Sequence, residues 1–181
     1  MTSHSYDAVA RQTVKLLPTG DRISWTYDSV GRPVSILYAD ATRVTMQYDA
    51  VGNKTTLVDS TGTTTFAFDA VNRLSGKTDP GSLTQAYVYD AAGQRTKLTD
   101  PDGGVRSFTW DNDGRLQSFQ DPDAKRTTLA YDSAGRKTTA TFESGLKQRW
   151  TYDAADQIVS IIHEDGAGAM LQRFSFTHDG V

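Results

Sequence analysis

The chain has 181 residues, 37% of them hydrophobic and 23% charged, with a formal net charge of −3. Lys and Arg are scattered singly, so no basic stripe is present to neutralise phosphates, which argues against a nucleic-acid partner. No run reaches the ~20 apolar residues that span a bilayer, the opening MTSHSYDAVARQ has no apolar signal core, and the lack of cysteine removes disulfides and thiolate metal sites.

From Tyr6 onward one phrase recurs. Tyr6 opens YDAVAR, Tyr27 YDSVGR, Tyr48 YDAVGN, Phe68 FDAVNR, Tyr89 YDAAGQ, Trp110 WDNDGR, Tyr131 YDSAGR and Tyr152 YDAADQ. The opening aromatics are separated by 21, 21, 20, 21, 21, 21 and 21 residues, with 26 more to His178. A period this regular predicts a repeat array. Residues 1–5 are expected to be a tail and 6–177 the array, with 178–181 beginning a further repeat.

Before each opening aromatic, apolar and polar residues alternate. Trp25 is in phase with Tyr27, Met46 with Tyr48, Phe66 with Phe68 and Tyr87 with Tyr89. Phe108 with Trp110, Leu129 with Tyr131, and Trp150 with Tyr152 follow the same rule. Period two predicts a strand with one apolar and one wet face. The phrase that follows is a turn. Asp28, Asp49, Asp69, Asp90, Asp111, Asp132 and Asp153 are placed to accept backbone N–H groups two residues on. Gly31, Gly52, Asn72, Gly93, Gly114 and Gly135 suit the left-handed position of a type I turn ending in a bulge. Ala10 fits that slot poorly.

A second strand follows each turn, with Ile36, Leu57, Leu98, Phe119, Ala140 and Ile161 in phase with the apolar face. A second turn then closes the repeat, as at Asp79-Pro80-Gly81 and Asp100-Pro101-Asp102-Gly103, where Pro pre-sets the backbone angle. The predicted fold is therefore all-β: about eight hairpins, or about sixteen short strands, in one curled or spiralling antiparallel sheet. The aromatic ladder (Trp25, Tyr27, Tyr48, Phe66, Phe68, Tyr87, Tyr89, Phe108, Trp110, Tyr131, Trp150 and Tyr152) is expected to pack along the apolar face. Thr, Lys, Arg and Gln are expected on the other face. Tyr hydroxyls then need partners among turn Asp residues or strand ends.

The phrase Y-D-x-x-G-R at this step resembles the Rhs and YD-repeat family, which includes bacterial polymorphic toxins, toxin-complex B and C components, and teneurins. The likeness runs from Tyr6 to Val181. It implies a segment of a β-shell that encloses or scaffolds another polypeptide, a toxin or C-terminal domain. It further implies a secreted or cell-surface bacterial parent. Toxin-bearing members cleave themselves at a D-P-x-G-φ element. Asp100-Pro101-Asp102-Gly103 matches its first four letters, but Gly104 replaces the large apolar residue, so the turn reading stands.

No catalytic constellation is visible: His4, His163 and His178 hold unrelated positions, and Glu143 and Glu164 are not spaced as an acid/base pair. Residues 110–114 glance at a calcium loop, but Arg115 and Pro122 stand where ligands belong. No cofactor or metal is expected, and solvated caps outweigh cation binding by the Asp row. Two further partners are weighed. Exposed aromatics would suit a carbohydrate or cell-surface ligand, and free sheet edges would favour self-association.

Overall fold

The computed structural model describes residues 1–178, so the expected further repeat at 178–181 lies outside it apart from His178. Two compact units meet between Ala86 and Tyr87. In the first unit the strands are β1 (Ser3–Tyr6), β2 (Gln12–Leu16), β3 (Arg22–Tyr27), β4 (Pro33–Leu37), β5 (Arg43–Tyr48), β6 (Lys54–Asp59), β7 (Gly62–Phe68) and β8 (Leu74–Asp79), and β9 (Leu83–Tyr89) carries the boundary. Each pairs antiparallel with the next in chain order. The segment expected as a tail contributes Ser3–Ser5 to β1.

The second unit continues with β10 (Arg95–Thr99), β11 (Val105–Trp110), β12 (Leu116–Gln120), β13 (Arg126–Tyr131), β14 (Lys137–Phe142), β15 (Lys147–Tyr152), β16 (Ile158–Glu164) and β17 (Met170–Ser175). The same sequential antiparallel pairing runs through it. The fold is thus all-β, and no helix occurs among the described residues. The seventeenth strand, beyond the expected sixteen, is the one leading to His178.

The turn after each aromatic is closed twice by backbone. At Tyr27 the Gly31 N–H donates to the Asp28 carbonyl (3.1 Å) and the Asp28 N–H to the Arg32 carbonyl (2.9 Å). Gly31 has φ +90°, and the strand register slips by one residue between Thr26 and Tyr27, which is the bulge. Ala10 takes the same left-handed conformation (φ 63°), as do Ala41 and Ala124 in second turns. Two closing N–H···O bonds hold the backbone there against the strain that a Cβ adds. Several second turns, including Tyr38–Thr42, Asp100–Gly104 and Asp165–Ala169, repeat this closure.

Register places the apolar residues opposite one another. Trp25 faces Ile36, which faces Val44, and Met46 faces Leu57. In the second unit Phe108 faces Phe119, Leu129 faces Ala140, and Trp150 faces Ile161, which faces Phe174. Directly opposed residues share a face, so these rows form continuous apolar stripes. A single layer of hairpins cannot enclose large side chains; the described residues include no fully buried one, and the ladder rings are half-buried.

The two faces differ less cleanly than alternation predicts. Arg11, Arg32, Arg95, Arg115, Arg136, Lys54 and Lys137 lie over aromatic rings, not on the opposite face. Their aliphatic stems cover apolar surface while their heads meet ring faces, which satisfies both parts of an amphipathic side chain. The opposite face is a row of small residues, and it holds Ser118 and Ser160, 5% and 2% exposed. Their hydroxyls pair with Thr109 and Thr151 at 2.8 Å, and flanking strands shade them because they are short.

Candidate functional site: the ring ladder and its turn row

The recurring unit is an Asp-Arg-Tyr linkage between successive repeats. Asp28 Oδ1 accepts the backbone N–H groups of Val30 (3.0 Å) and Arg32 (2.8 Å), and its Oδ2 accepts Nε of Arg32 at 2.6 Å. Arg32 is thereby aimed at the next repeat. Its guanidinium carbon lies 4.7 Å from the centre of the Tyr48 ring, and its NH1 donates to the Asp49 carbonyl at 3.1 Å. The same cap joins Arg11 to Tyr27 (4.8 Å), Arg115 to Tyr131 (4.9 Å) and Arg136 to Tyr152 (4.8 Å).

Each of these tyrosines also reaches back. Its hydroxyl donates to the carbonyl at the start of the previous repeat's second strand: Tyr27 to Gln12 (2.7 Å), Tyr48 to Pro33 (2.9 Å), Tyr131 to Leu116 (2.8 Å) and Tyr152 to Lys137 (2.7 Å). Trp110 does so through Nε1 to the Arg95 carbonyl (3.0 Å). Of the two kinds of partner expected for Tyr hydroxyls, the strand-end carbonyls are the ones used here. Burial and the nearby Asp132 carboxylate push the Tyr152 phenol above its ordinary value.

Eight of the turn aspartates are held below the ordinary carboxyl range. At Asp7, Asp69, Asp111 and Asp132 the backbone N–H four residues on is the largest influence and outweighs partial desolvation, with the guanidinium adding to it, so the carboxyl sits below its usual range. At Asp28 and Asp49 desolvation is the largest single influence and raises the value, but bonds from Arg32 and Asn53 together reverse it. In the second turns, the Thr42 and Thr61 hydroxyls lower Asp40 and Asp59.

The remaining expected turn positions fall in the same geometry. Gly52, Asn72, Gly93, Gly114 and Gly135 have positive φ, and Asp90 and Asp153 accept the N–H of Gln94 and Gln157 at 2.8 and 2.9 Å. The Asp carboxylates are engaged by their own turns and arginines. Among the described residues no group of three or more His, Asp or Glu is placed to hold a metal ion. Asp100 contacts Arg106 and closes its turn with Gly104, so Asp100-Pro101-Asp102-Gly103 is a turn. No helix among the described residues is long and apolar enough to cross a membrane.

Sequence reasoning missed the arginine. Its signal was present as the sixth letter of the phrase, at Arg11, Arg32, Arg73, Arg115 and Arg136. Its role is invisible without the register that carries it to the following repeat's ring.

These features define an antiparallel hairpin array with an Asp-anchored turn in each repeat, a structural repeat module. The RHS Repeat family matches residues 27–64, 68–105 and 110–147, more than half of the chain, and the chain belongs to that family. No curated protein matches it. Among solved structures, TcdB2-TccC3 without its hypervariable C-terminal region is similar at 15% identity with a TM-score of 0.79. TcdB2-TccC3 and TcdB2-TccC3-TEV are similar at 14% identity with TM-scores of 0.78 and 0.77. In all three, 98% of this chain is covered but only 11% of the other, so the chain spans about a ninth of their length and shares their fold.

Proposed function

We propose that this array is a wall segment of a larger exported protein, and that its ladder face lies against another polypeptide, such as a toxin or C-terminal segment, which the wall encloses or scaffolds. The observation that carries this is the half-buried ladder. Among the described residues no helix covers it within either unit, and a contiguous apolar stripe of this kind is a protein-contact surface. The likeness to TcdB2-TccC3, an assembly whose solved forms include one lacking a hypervariable C-terminal region, supports the reading. In it the chain performs no catalysis and takes no cofactor. Its work is geometric: turns fix the hairpins, and arginines bind each hairpin to the next.

A carbohydrate-binding role draws less support. Sugars stack on open ring faces, and guanidinium caps occupy one face of Tyr27, Tyr48, Tyr131 and Tyr152.

Oxidative footprinting tests the proposal by comparing Trp25, Trp110 and Trp150 in the isolated chain and in the full parent polypeptide. The expected result is several-fold protection of these rings in the parent. Equal reactivity in both would remove the claim that the ladder faces another polypeptide.

A further inference from the structure

The turn tips of the first unit carry an apolar residue that the turn itself does not need. Val9, Val30, Val51 and Val71 each stand two residues after a turn Asp and are 67%, 73%, 70% and 65% exposed. All four belong to the first unit. Each is presented in the same way, its N–H donating to the carboxylate of Asp7, Asp28, Asp49 or Asp69 at 3.0–3.1 Å. In the second unit Asp113, Ala134 and Ala155 make the same bond without a valine, and Ala92 holds the remaining tip. Turns favour small and polar residues, and an exposed β-branched side chain gains nothing there by burial. Turn chemistry therefore does not account for the four valines.

These turns all follow the first strand of a hairpin, so the valines line one edge of the sheet. Each repeat adds two strands, which sets successive valines about 9.6 Å apart and makes the row about 29 Å long. Ala8, Ala50 and Ala70 beside them are exposed as well. Charge along the row is largely balanced, because Asp7, Asp28 and Asp69 pair with Arg11, Arg32 and Arg73 of their own turns at 2.6–2.7 Å. In the second unit the exposed Asp113 and Asp156 place carboxylates at the equivalent tips. The apolar row is thus confined to the first unit.

We infer that the valine row is an interface with a second copy of this chain, whose own row runs antiparallel to it about a two-fold axis. A partner must offer apolar groups at the same step, and an identical row does so along its whole length. A two-fold closes such a contact with one patch used on both sides. An α-helix presents equivalent residues every 10.5 Å or so and drifts about 3 Å out of step over the row. With three of its four turn carboxylates already neutralised, the row meets its like with little repulsion. The eight valines and the alanines beside them cover on the order of 1,000 Å², so the pairing is weak, with a dissociation constant of about 0.1 mM.

The test is sedimentation velocity of the full chain from about 5 µM to about 1 mM, a range that brackets the expected constant. The expected result is a reversible rise toward the dimer with concentration. Val30→Asp combined with Val51→Asp should weaken it about tenfold or more. The fold accepts an aspartate at this tip, as Asp113 shows. Val30→Ala combined with Val51→Ala copies the tips at Ala134 and Ala155 and should weaken it about fivefold. Ala92→Asp combined with Ala134→Asp adds the same charge to the second unit and leaves the association unchanged. Near-ultraviolet circular dichroism stays native in all three. The inference is overturned by a monomer at every concentration, by undiminished association in the valine variants, which would assign it to the strand edges, or by an equal loss in the Ala92 and Ala134 variant. Valine-dependent binding to phosphatidylcholine vesicles without self-association also overturns it, in favour of a lipid surface. The row lies apart from the ladder face, so failure here leaves the protection of the rings in the parent, a separate measurement, untouched.

Discussion

The phenol of Tyr131 donates to the carbonyl of Leu116 at 2.8 Å, so the ring that opens one repeat is tied to the first residue of the preceding repeat's second strand. Fifteen residues of sequence separate the two, but the hairpin brings them together. The bond fixes where the ring lies on the face, and the Arg115 guanidinium then covers it. Tyr131→Phe keeps the ring and the cap but leaves the part-buried carbonyl without this donor. It should cost about 1 kcal/mol in urea denaturation. Near-ultraviolet circular dichroism should remain native.

Backbone conformation accounts for the turn glycines, and Gly103 isolates that effect. Its φ is +84° and a Cβ placed there meets nothing within 4 Å, so a substitution removes no contact and creates no clash. Gly103→Val should nevertheless destabilise the fold by about 1–2 kcal/mol, the cost of a left-handed conformation for a residue with a Cβ. An unchanged midpoint in denaturant would mean the turn relaxes to another type.

Acid should unfold the array through its turns. Asp7, Asp28, Asp40, Asp49, Asp59, Asp69, Asp111 and Asp132 all have folded values below the ordinary 3.8. A depressed carboxyl contributes stability that is fully present above its unfolded value and is lost as pH falls through the folded one. Stability from this source should therefore be flat from pH 7 to about 5 and fall steeply below about 4. Asp132→Asn should make the acid limb shallower, because one of the eight linked protons is removed.

The hairpins and their turns were legible in the sequence for physical reasons that act locally. Alternation at Trp25-Thr26-Tyr27 reports a strand with unlike faces, and Asp28 with Gly31 reports a turn needing a side-chain acceptor and a positive φ. What escaped depends on which residues the register brings together. Arg32 and Tyr48 meet only because the hairpins stack, and charge alone would assign Arg32 to the wet face. Ser118 and Ser160 are buried by neighbours on adjacent strands, not by their own polarity. Ala41 and Ala124 take left-handed turns that composition argues against, held by closing bonds from Ala41 to Tyr38 and from Ala124 to Asp121.

The linkage between repeats is open to direct measurement at Arg32 and Tyr48. A double-mutant cycle with Arg32→Ala, Tyr48→Leu and the pair, read by urea denaturation, isolates their interaction from what each residue does alone. Stacked hairpins joined by guanidinium caps predict a favourable coupling of about 0.5–1 kcal/mol. Strictly additive losses would contradict the account, because the guanidinium over the ring would then add nothing to the backbone pairing, the Tyr48 hydroxyl bond to Pro33 and the Ile36–Val44 contact that also join the two repeats.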